Sequence, residues 1–187
     1  YNILIAEALY KCDSVITNKS TLNDIVIYLD SLTNQHPQNK DLLFINSKAH
    51  YYRGAGYEED YKYKDSFIDY LESLKLIEKI TFFSNDNNRN IIHFNALIYV
   101  RLSDILYWLD VYNASIECLN KANQLFDIER NLSAITRNNI VIATMYAHMY
   151  NYDLALEHLS IADLTLSEYD KDSPLKFVIE RISSTIT

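Results

Sequence analysis

Glycine and proline are nearly missing from this chain. Two glycines and two prolines occur in 187 residues, where average usage of about 7% would give roughly thirteen glycines. Tight hairpin turns need glycine at positive φ, and phosphate-binding loops need it where the backbone approaches the ligand. The shortage therefore excludes glycine-rich nucleotide loops and predicts long helices joined by short polar connections.

Clustered positive charge and long apolar runs are also missing. The chain carries 17 Lys and Arg against 25 Asp and Glu, for a net charge of −8, and the basic residues are scattered along it. A surface that follows nucleic-acid phosphates needs clustered Lys and Arg, so no nucleic-acid partner is expected. No apolar run reaches the 18 or so residues of a membrane span, and a soluble segment is predicted.

The chain has no catalytic or metal-binding motif. Its five histidines never form HExxH, and Gly54-Ala55-Gly56 begins a dinucleotide-like GxGxxG that fails at Glu59. Cys12 and Cys118 lie far apart without a CxxC spacing, which favours buried free thiols and leaves a disulfide open. The sequence predicts no enzyme, metal ion or cofactor; an enzyme would need converging ionisable groups that the sequence does not reveal.

Apolar residues recur at spacings of three and four throughout the chain, the pattern typical of amphipathic helices. The breaks carry Asn, Asp, Ser or Pro, which favour turns and helix ends. We therefore predict an all-α fold without strands, in nine helices near residues 2–16, 22–33, 40–57, 62–82, 90–109, 112–127, 133–150, 152–168 and 174–186.

Three of these helices share one pattern of small and large residues. They begin at Tyr63, Tyr112 and Tyr152. Each has a small residue three positions on, a large residue four further, and another small residue after three more: Ser66, Tyr70, Ser73; Ser115, Leu119, Ala122; Ala155, Leu159, Ala162. Small sites seven apart share one helix face, so that face is predicted to approach a neighbouring helix closely. The preceding helices carry matching small residues at Gly54, Ser103 and Ala143.

This combination resembles the tetratricopeptide repeat (TPR), best over residues 137–162, then 99–122, then 50–73. The resemblance implies a right-handed solenoid of antiparallel helix hairpins: one array over 1–187, with pairs near 1–33, 40–82, 90–127 and 133–168 and a terminal helix at 174–186. The tyrosine spacings of 49 and 40 residues exceed the family's roughly 34. A HEAT-like array is the alternative architecture.

The resemblance also implies a binding surface. TPR proteins bind ligands at defined positions of the first helix of each hairpin, and carrying that register over selects Lys48, Tyr51, Glu58, Asp104, Tyr107, Trp108, Arg137 and His148. Aromatic anchors with charges of both signs suit a peptide or helix partner. The carboxylate-clamp form of the family does not fit Tyr51, Val100 and Ile140. Trp108 has two interpretations, a groove-facing anchor or a core residue.

The expected function is a non-catalytic protein- or peptide-binding scaffold. The chain is similar to the helical-repeat sensory segments of bacterial regulators, and it starts inside a predicted helix without Met, so we expect a piece of a larger regulatory or envelope-associated protein. Its compartment, cytoplasm or periplasm and cell envelope, stays open. The alternative is a structural homo-oligomerisation module, such as a homodimer, that binds no small ligand.

Overall fold

The computed structural model describes residues 19–83, 88–170 and 172–186. These residues form eight helices and no strand: α1 Lys19–Gln35, α2 Lys40–Glu59, α3 Tyr63–Phe83, α4 Arg89–Trp108, α5 Tyr112–Glu129, α6 Leu132–His148, α7 Tyr152–Tyr169 and α8 Leu175–Ile186. The predicted all-α class is confirmed, and the ends of these eight helices lie within three residues of their predicted positions. The predicted helix at 2–16 lies outside the described residues.

Asparagine side chains start three of the helices. The side-chain oxygens of Asn39, Asn131 and Asn151 accept hydrogen bonds from backbone N–H groups three residues later, at 3.0, 3.2 and 3.4 Å. Each bond satisfies one of the N–H groups that a helix start leaves without a partner. The asparagines that interrupt the apolar pattern are therefore helix caps.

Four helix ends turn without glycine. Tyr61, Asp110, Arg130 and Tyr150 adopt left-handed backbone with φ of 57–58°. The N–H of the residue that follows each of them donates to a carbonyl five residues earlier at 2.9 Å, which is the Schellman arrangement. A non-glycine residue in this conformation costs about 1 kcal/mol. The turns recur because their hydrogen bonds hold the strained residue in place.

The chain divides into two compact units, one ending at Ile91 and the other starting at Ile92. In the first unit α2 packs against both α1 and α3. In the second, α5, α6, α7 and α8 pack in succession, and α4 contacts α5 through Ser103 and Ser115. The predicted single array over 1–187 stays a prediction.

Small residues form the contact inside each hairpin, as their spacing predicts. All six repeat positions are fully buried: Ser66, Ser73, Ser115, Ala122, Ala155 and Ala162. The Ser115 hydroxyl donates to the Ser103 carbonyl at 2.9 Å, a bond that joins α4 to α5. A Cβ atom at Gly54 would lie 3.0 Å from the ring of Tyr70. The two helices of a hairpin therefore approach too closely for larger side chains.

We predict that Ala155→Leu or Ala162→Leu lowers the free energy of unfolding by about 1–3 kcal/mol, because the filled contact has no room for three more carbons. Ala114→Leu is the control, since Ala114 lies one position off the small face and is only half-buried. Urea unfolding of the three variants measures the difference. Equal losses in all three would show that the predicted register is wrong.

Candidate binding surface

The predicted binding residues are distributed over both units. In the first unit, Tyr51 is only 2% exposed, and its ring packs against those of Tyr52 and Tyr70 at centroid distances of 5.3 and 5.4 Å. Lys48 lies over the ring of Phe44 on its own helix, 5.3 Å from the centroid. Tyr51 therefore presents almost no surface to a ligand.

Glu58, the third predicted residue of the first unit, accepts a hydrogen bond from the Tyr70 hydroxyl at 2.8 Å. Tyr70 is the large residue that fills the α2–α3 contact beside Gly54. The described contact of Glu58 thus supports the hairpin, and this unit has no exposed aromatic anchor at its predicted positions.

In the second unit, the structure brings three of the predicted residues together. The ring of Tyr107 lies 5.9 Å from Trp108 and 6.1 Å from His148, centroid to centroid. Tyr112 completes the group, with its ring 5.8 Å from both Tyr107 and His148. We call Tyr107, Trp108, Tyr112 and His148 the tip cluster, because they lie where α4 ends, α5 begins and α6 ends.

Trp108 is a surface residue, with 63% of its area exposed. Its neighbour Tyr107 is half-buried and packs on a core formed in part by Ile142 and Met145 of α6. This core holds α4 beside α6, so that the ends of the two helices meet. The interpretation of Trp108 as a core residue is therefore wrong.

Asp110 fixes the ring of Tyr112 in the tip cluster through a hydrogen bond. The Tyr112 hydroxyl donates to Oδ1 of Asp110 at 2.7 Å, and this hydrogen bond raises the pKa of Tyr112. Sequence reasoning missed both residues, since Tyr112 was assigned to the helix contact and Asp110 to a turn. The available signal was their position, two residues apart across a turn that directly follows Trp108.

Of the two other predicted residues of this unit, Arg137 lies apart from the cluster's rings, whereas Asp104 lies one helical turn before Tyr107 and Trp108 on α4. Arg137 is exposed on α6, eleven residues before His148 and thus roughly 16 Å away along the helix. Asp104 accepts a hydrogen bond from Arg101 on the same helix at 3.1 Å. That these residues share one binding surface with Lys48, Tyr51 and Glu58 stays a prediction.

Further apolar side chains are exposed at the two turns beside the tip cluster. Each of them is at least 36% exposed: Leu109, Val111, Met149, Tyr150 and Tyr152. Single exposed apolar residues are ordinary, but a group of them that surrounds exposed aromatic rings is typical of an interaction site. The tip of the second unit is therefore the candidate binding surface.

The first unit holds a cavity of about 210 Å³, lined in part by Asn23, Arg53 and Lys62. Arg53 donates to both oxygens of Asp69 at 2.6 and 2.7 Å and to Asn23 at 2.9 Å. Lys62 lies 3.5 Å from the carboxylate of Asp60. Both cations of the cavity are thus already paired with carboxylates, which disfavours an anionic ligand there.

A charged network is buried beside this cavity. The two ring nitrogens of His50 lie 3.0 Å from carboxylate oxygens of Asp69 and Asp30. Only the protonated imidazole can donate to both. Below the raised pKa of His50, the network with Arg53 therefore contains two positive and two negative charges, contributed by α1, α2 and α3.

The second unit has a polar pair at the corresponding repeat position. Asn139 lies four residues before the small Ala143, as His50 lies four before Gly54. Its side-chain oxygen is 2.8 Å from Nδ1 of His158, and burial lowers the pKa of His158. Each of these two hairpins thus joins its helices through a polar pair.

Within the part of the chain that the structure describes, no three His, Cys, Asp or Glu side chains are grouped so that they could hold a metal ion. No helix in the same part is long and apolar enough to cross a membrane. Cys118 is a free, half-buried thiol whose pKa is raised by burial, and Cys12 lies outside the described residues.

No protein-family model and no curated protein matches this chain. Among solved structures, the crystal structure of MamA aligns with 90% of this chain and 88% of its own, at 13% identity and a TM-score of 0.45. A likeness at this level supports no functional conclusion. The repeat assignment rests on the residues of this chain.

We predict that stability depends on pH through the buried network. Burial lowers the pKa of His50, but Asp69 and Asp30 raise it by more, above its ordinary 6.5. Burial likewise raises the pKa of Asp69, but Arg53 and His50 lower it by more, below its ordinary 3.8. The stabilisation by His50 is present in full below pH 6.5 and lost as pH rises through its raised pKa. The stabilisation by Asp69 is present in full above pH 3.8 and is lost as pH falls through the lowered pKa of Asp69.

Urea unfolding of the wild type between pH 5 and 9 measures the upper limb, where the free energy of unfolding should fall as pH rises. His50→Gln should flatten this fall, because it removes the titrating group. His36→Gln is the control, since His36 is exposed at the end of α1. An unchanged slope in His50→Gln would contradict the proposed role of the network.

We further predict that Trp108→Ala costs only about 1 kcal/mol of stability or less, because most of the ring is exposed and its described ring contact is with Tyr107. A buried tryptophan would cost roughly 3–5 kcal/mol. Thermal and urea unfolding of the variant distinguish the two values. A loss in the larger range would place Trp108 in the core.

Proposed function

We propose that this chain is a non-catalytic, TPR-like scaffold that binds a protein or peptide, and that the tip cluster carries the binding. The observation that supports this most directly is the exposed Trp108 ring, which packs against Tyr107, whose own ring contacts those of Tyr112 and His148. Tryptophan and tyrosine are enriched among the residues that dominate binding energies. An aromatic side chain already held in place loses little conformational entropy when a partner binds.

The contacts of the cluster support a non-catalytic role. The Tyr112 hydroxyl donates to Asp110, and this hydrogen bond raises the pKa of Tyr112, so the ring stays a neutral hydrogen-bond donor. Asp110 acts as a hydrogen-bond acceptor that fixes the ring. The wider assignment to a bacterial regulatory or envelope-associated protein stays a prediction.

A second candidate function is homo-oligomerisation. Leu164 on α7 and Phe177 on α8 are 65% and 67% exposed and lie on other helices than the tip cluster. A dimer interface that covered both side chains would remove their apolar area from water. This module would need no peptide ligand.

Selection from a random peptide library displayed on phage tests the proposal. Peptides enriched on the wild-type protein are measured against Trp108→Ala and against Phe177→Ala by fluorescence anisotropy. Phe177→Ala is the matched control, because it removes an equally exposed aromatic ring from the same unit. We expect at least a tenfold loss of affinity in Trp108→Ala, as for a residue that dominates an interface, and little change in the control.

Sedimentation equilibrium is run on the same three proteins. A monomer that selects peptides dependent on Trp108 supports the scaffold. A dimer that selects no peptides and dissociates in Phe177→Ala supports the oligomerisation module instead. Enriched peptides that bind both variants equally well would exclude the tip cluster as the site.

A further inference from the structure

The two chain segments that include the tip carry negative charge and have no Lys or Arg. None occurs between residues 102 and 120, nor between residues 138 and 170. The same segments contain eight carboxylates: Asp104, Asp110, Glu117, Asp153, Glu157, Asp163, Glu168 and Asp170. Their basic side chains are His148 and His158, and burial favours the neutral form of His158. Asp110 and Asp153 lie at the tip itself, whereas Asp163, Glu168 and Asp170 lie towards the other end of α7. A partner at the aromatic rings therefore meets Asp110 and Asp153 and no Lys or Arg from these two segments.

Two of these carboxylates lie at the rings. Asp110 is exposed in the turn after Trp108, and its Oδ1 atom accepts a hydrogen bond from the Tyr112 hydroxyl. Its Oδ2 atom has no hydrogen-bond partner among the described side chains. Asp153 is exposed directly after Tyr152, whose ring lies 6.4 Å from that of Tyr150. Each turn therefore presents an aromatic face next to a carboxylate.

An exposed aromatic face beside a carboxylate is a site for an organic cation. The face of tryptophan attracts a guanidinium or ammonium group more strongly than other rings do, and arginine is the more frequent partner. Arginine can also donate to a carboxylate while its plane stacks on a ring. A partner rich in Asp or Glu would instead be repelled by the carboxylates of the tip.

We infer that the partner of the tip cluster is a peptide segment that presents arginine, whose guanidinium stacks on Trp108 and donates to Asp110. This inference rests on the proposed function and adds the chemical class of the partner. Stacking on Trp108 supplies the contact area, and Asp110 selects positive charge. Tyr112 contributes as a positioning residue, because its hydroxyl fixes the carboxylate of Asp110.

Synthetic peptides with two arginines flanked by Gly, Ser and Leu test the inference. The matched peptide carries citrulline at both sites, which keeps the shape and removes the charge. Fluorescence anisotropy measures Kd on the full chain at low and high NaCl. We expect the arginine peptide to bind more tightly, by roughly two- to fivefold per cation–aromatic contact, and to weaken as salt rises.

Asp110→Asn removes the charge but keeps an oxygen for the Tyr112 hydroxyl, and asparagine tolerates the left-handed backbone at this position. Asp127→Asn is the control, an identical charge change on an exposed residue near the far end of α5. The inference expects weaker arginine binding in Asp110→Asn and in Trp108→Ala, with Asp127→Asn unchanged.

Equal binding of the arginine and citrulline peptides would overturn the inference, as would equal losses in Asp110→Asn and Asp127→Asn. So would the absence of any binding by the arginine peptide. If peptides from the random library still required Trp108 in those cases, the scaffold proposal would stand and only the partner's chemistry would be wrong. Library peptides that do not depend on Trp108 would remove both proposals.

Discussion

The close contact of two helices inside each hairpin is the constraint on which the rest of the structure depends. Gly54 has the ring of Tyr70 against its α-carbon, and the hydroxyl of Ser115 bonds to the carbonyl of Ser103. Such contacts are possible only where at least one of the two helices carries a small residue at the point of contact. They fix which face of each helix is buried, and so decide which side chains reach the hairpin ends.

The hairpin ends acquire their aromatic surface from this constraint. Ser103 and Ser115 meet close to the end of the hairpin, and the large rings of Tyr107, Trp108 and Tyr112 lie beyond them, where α4 ends and α5 begins. The turn after Trp108 reverses the chain through a left-handed Asp110 and not through glycine. A glycine there would relieve the backbone, but it would remove the carboxylate that holds Tyr112. Because this turn uses Asp110 and not glycine, it carries the carboxylate that we propose contacts a partner.

Much of the fold could be predicted from the sequence, because helix period and small-residue spacing are local properties. The surface was predicted only in part. A repeat register identifies a helix face but not how deeply neighbouring elements cover it, so Tyr51 and Trp108 were treated alike although one is 2% and the other 63% exposed. Asp110 was missed since its role depends on a hydrogen bond across a turn. The network of His50 joins residues from three helices, and no short spacing reveals it.

Burial separates the polar groups that hold the fold from those that can bind. The pairs His50–Asp69 and Asn139–His158 lie at one repeat position, and each joins the two helices of its hairpin. Inside, a charge or amide must be satisfied by the chain itself, because an unpaired group there is costly. At the tip, Oδ1 of Asp110 accepts a hydrogen bond from Tyr112. Because Asp110 is exposed, water can hydrate the rest of its carboxylate at little cost. An exposed carboxylate such as Asp110 can exchange its water for a partner's guanidinium without first breaking contacts that hold the fold. Asp110 also follows Trp108, the most exposed ring of the tip cluster, by two residues.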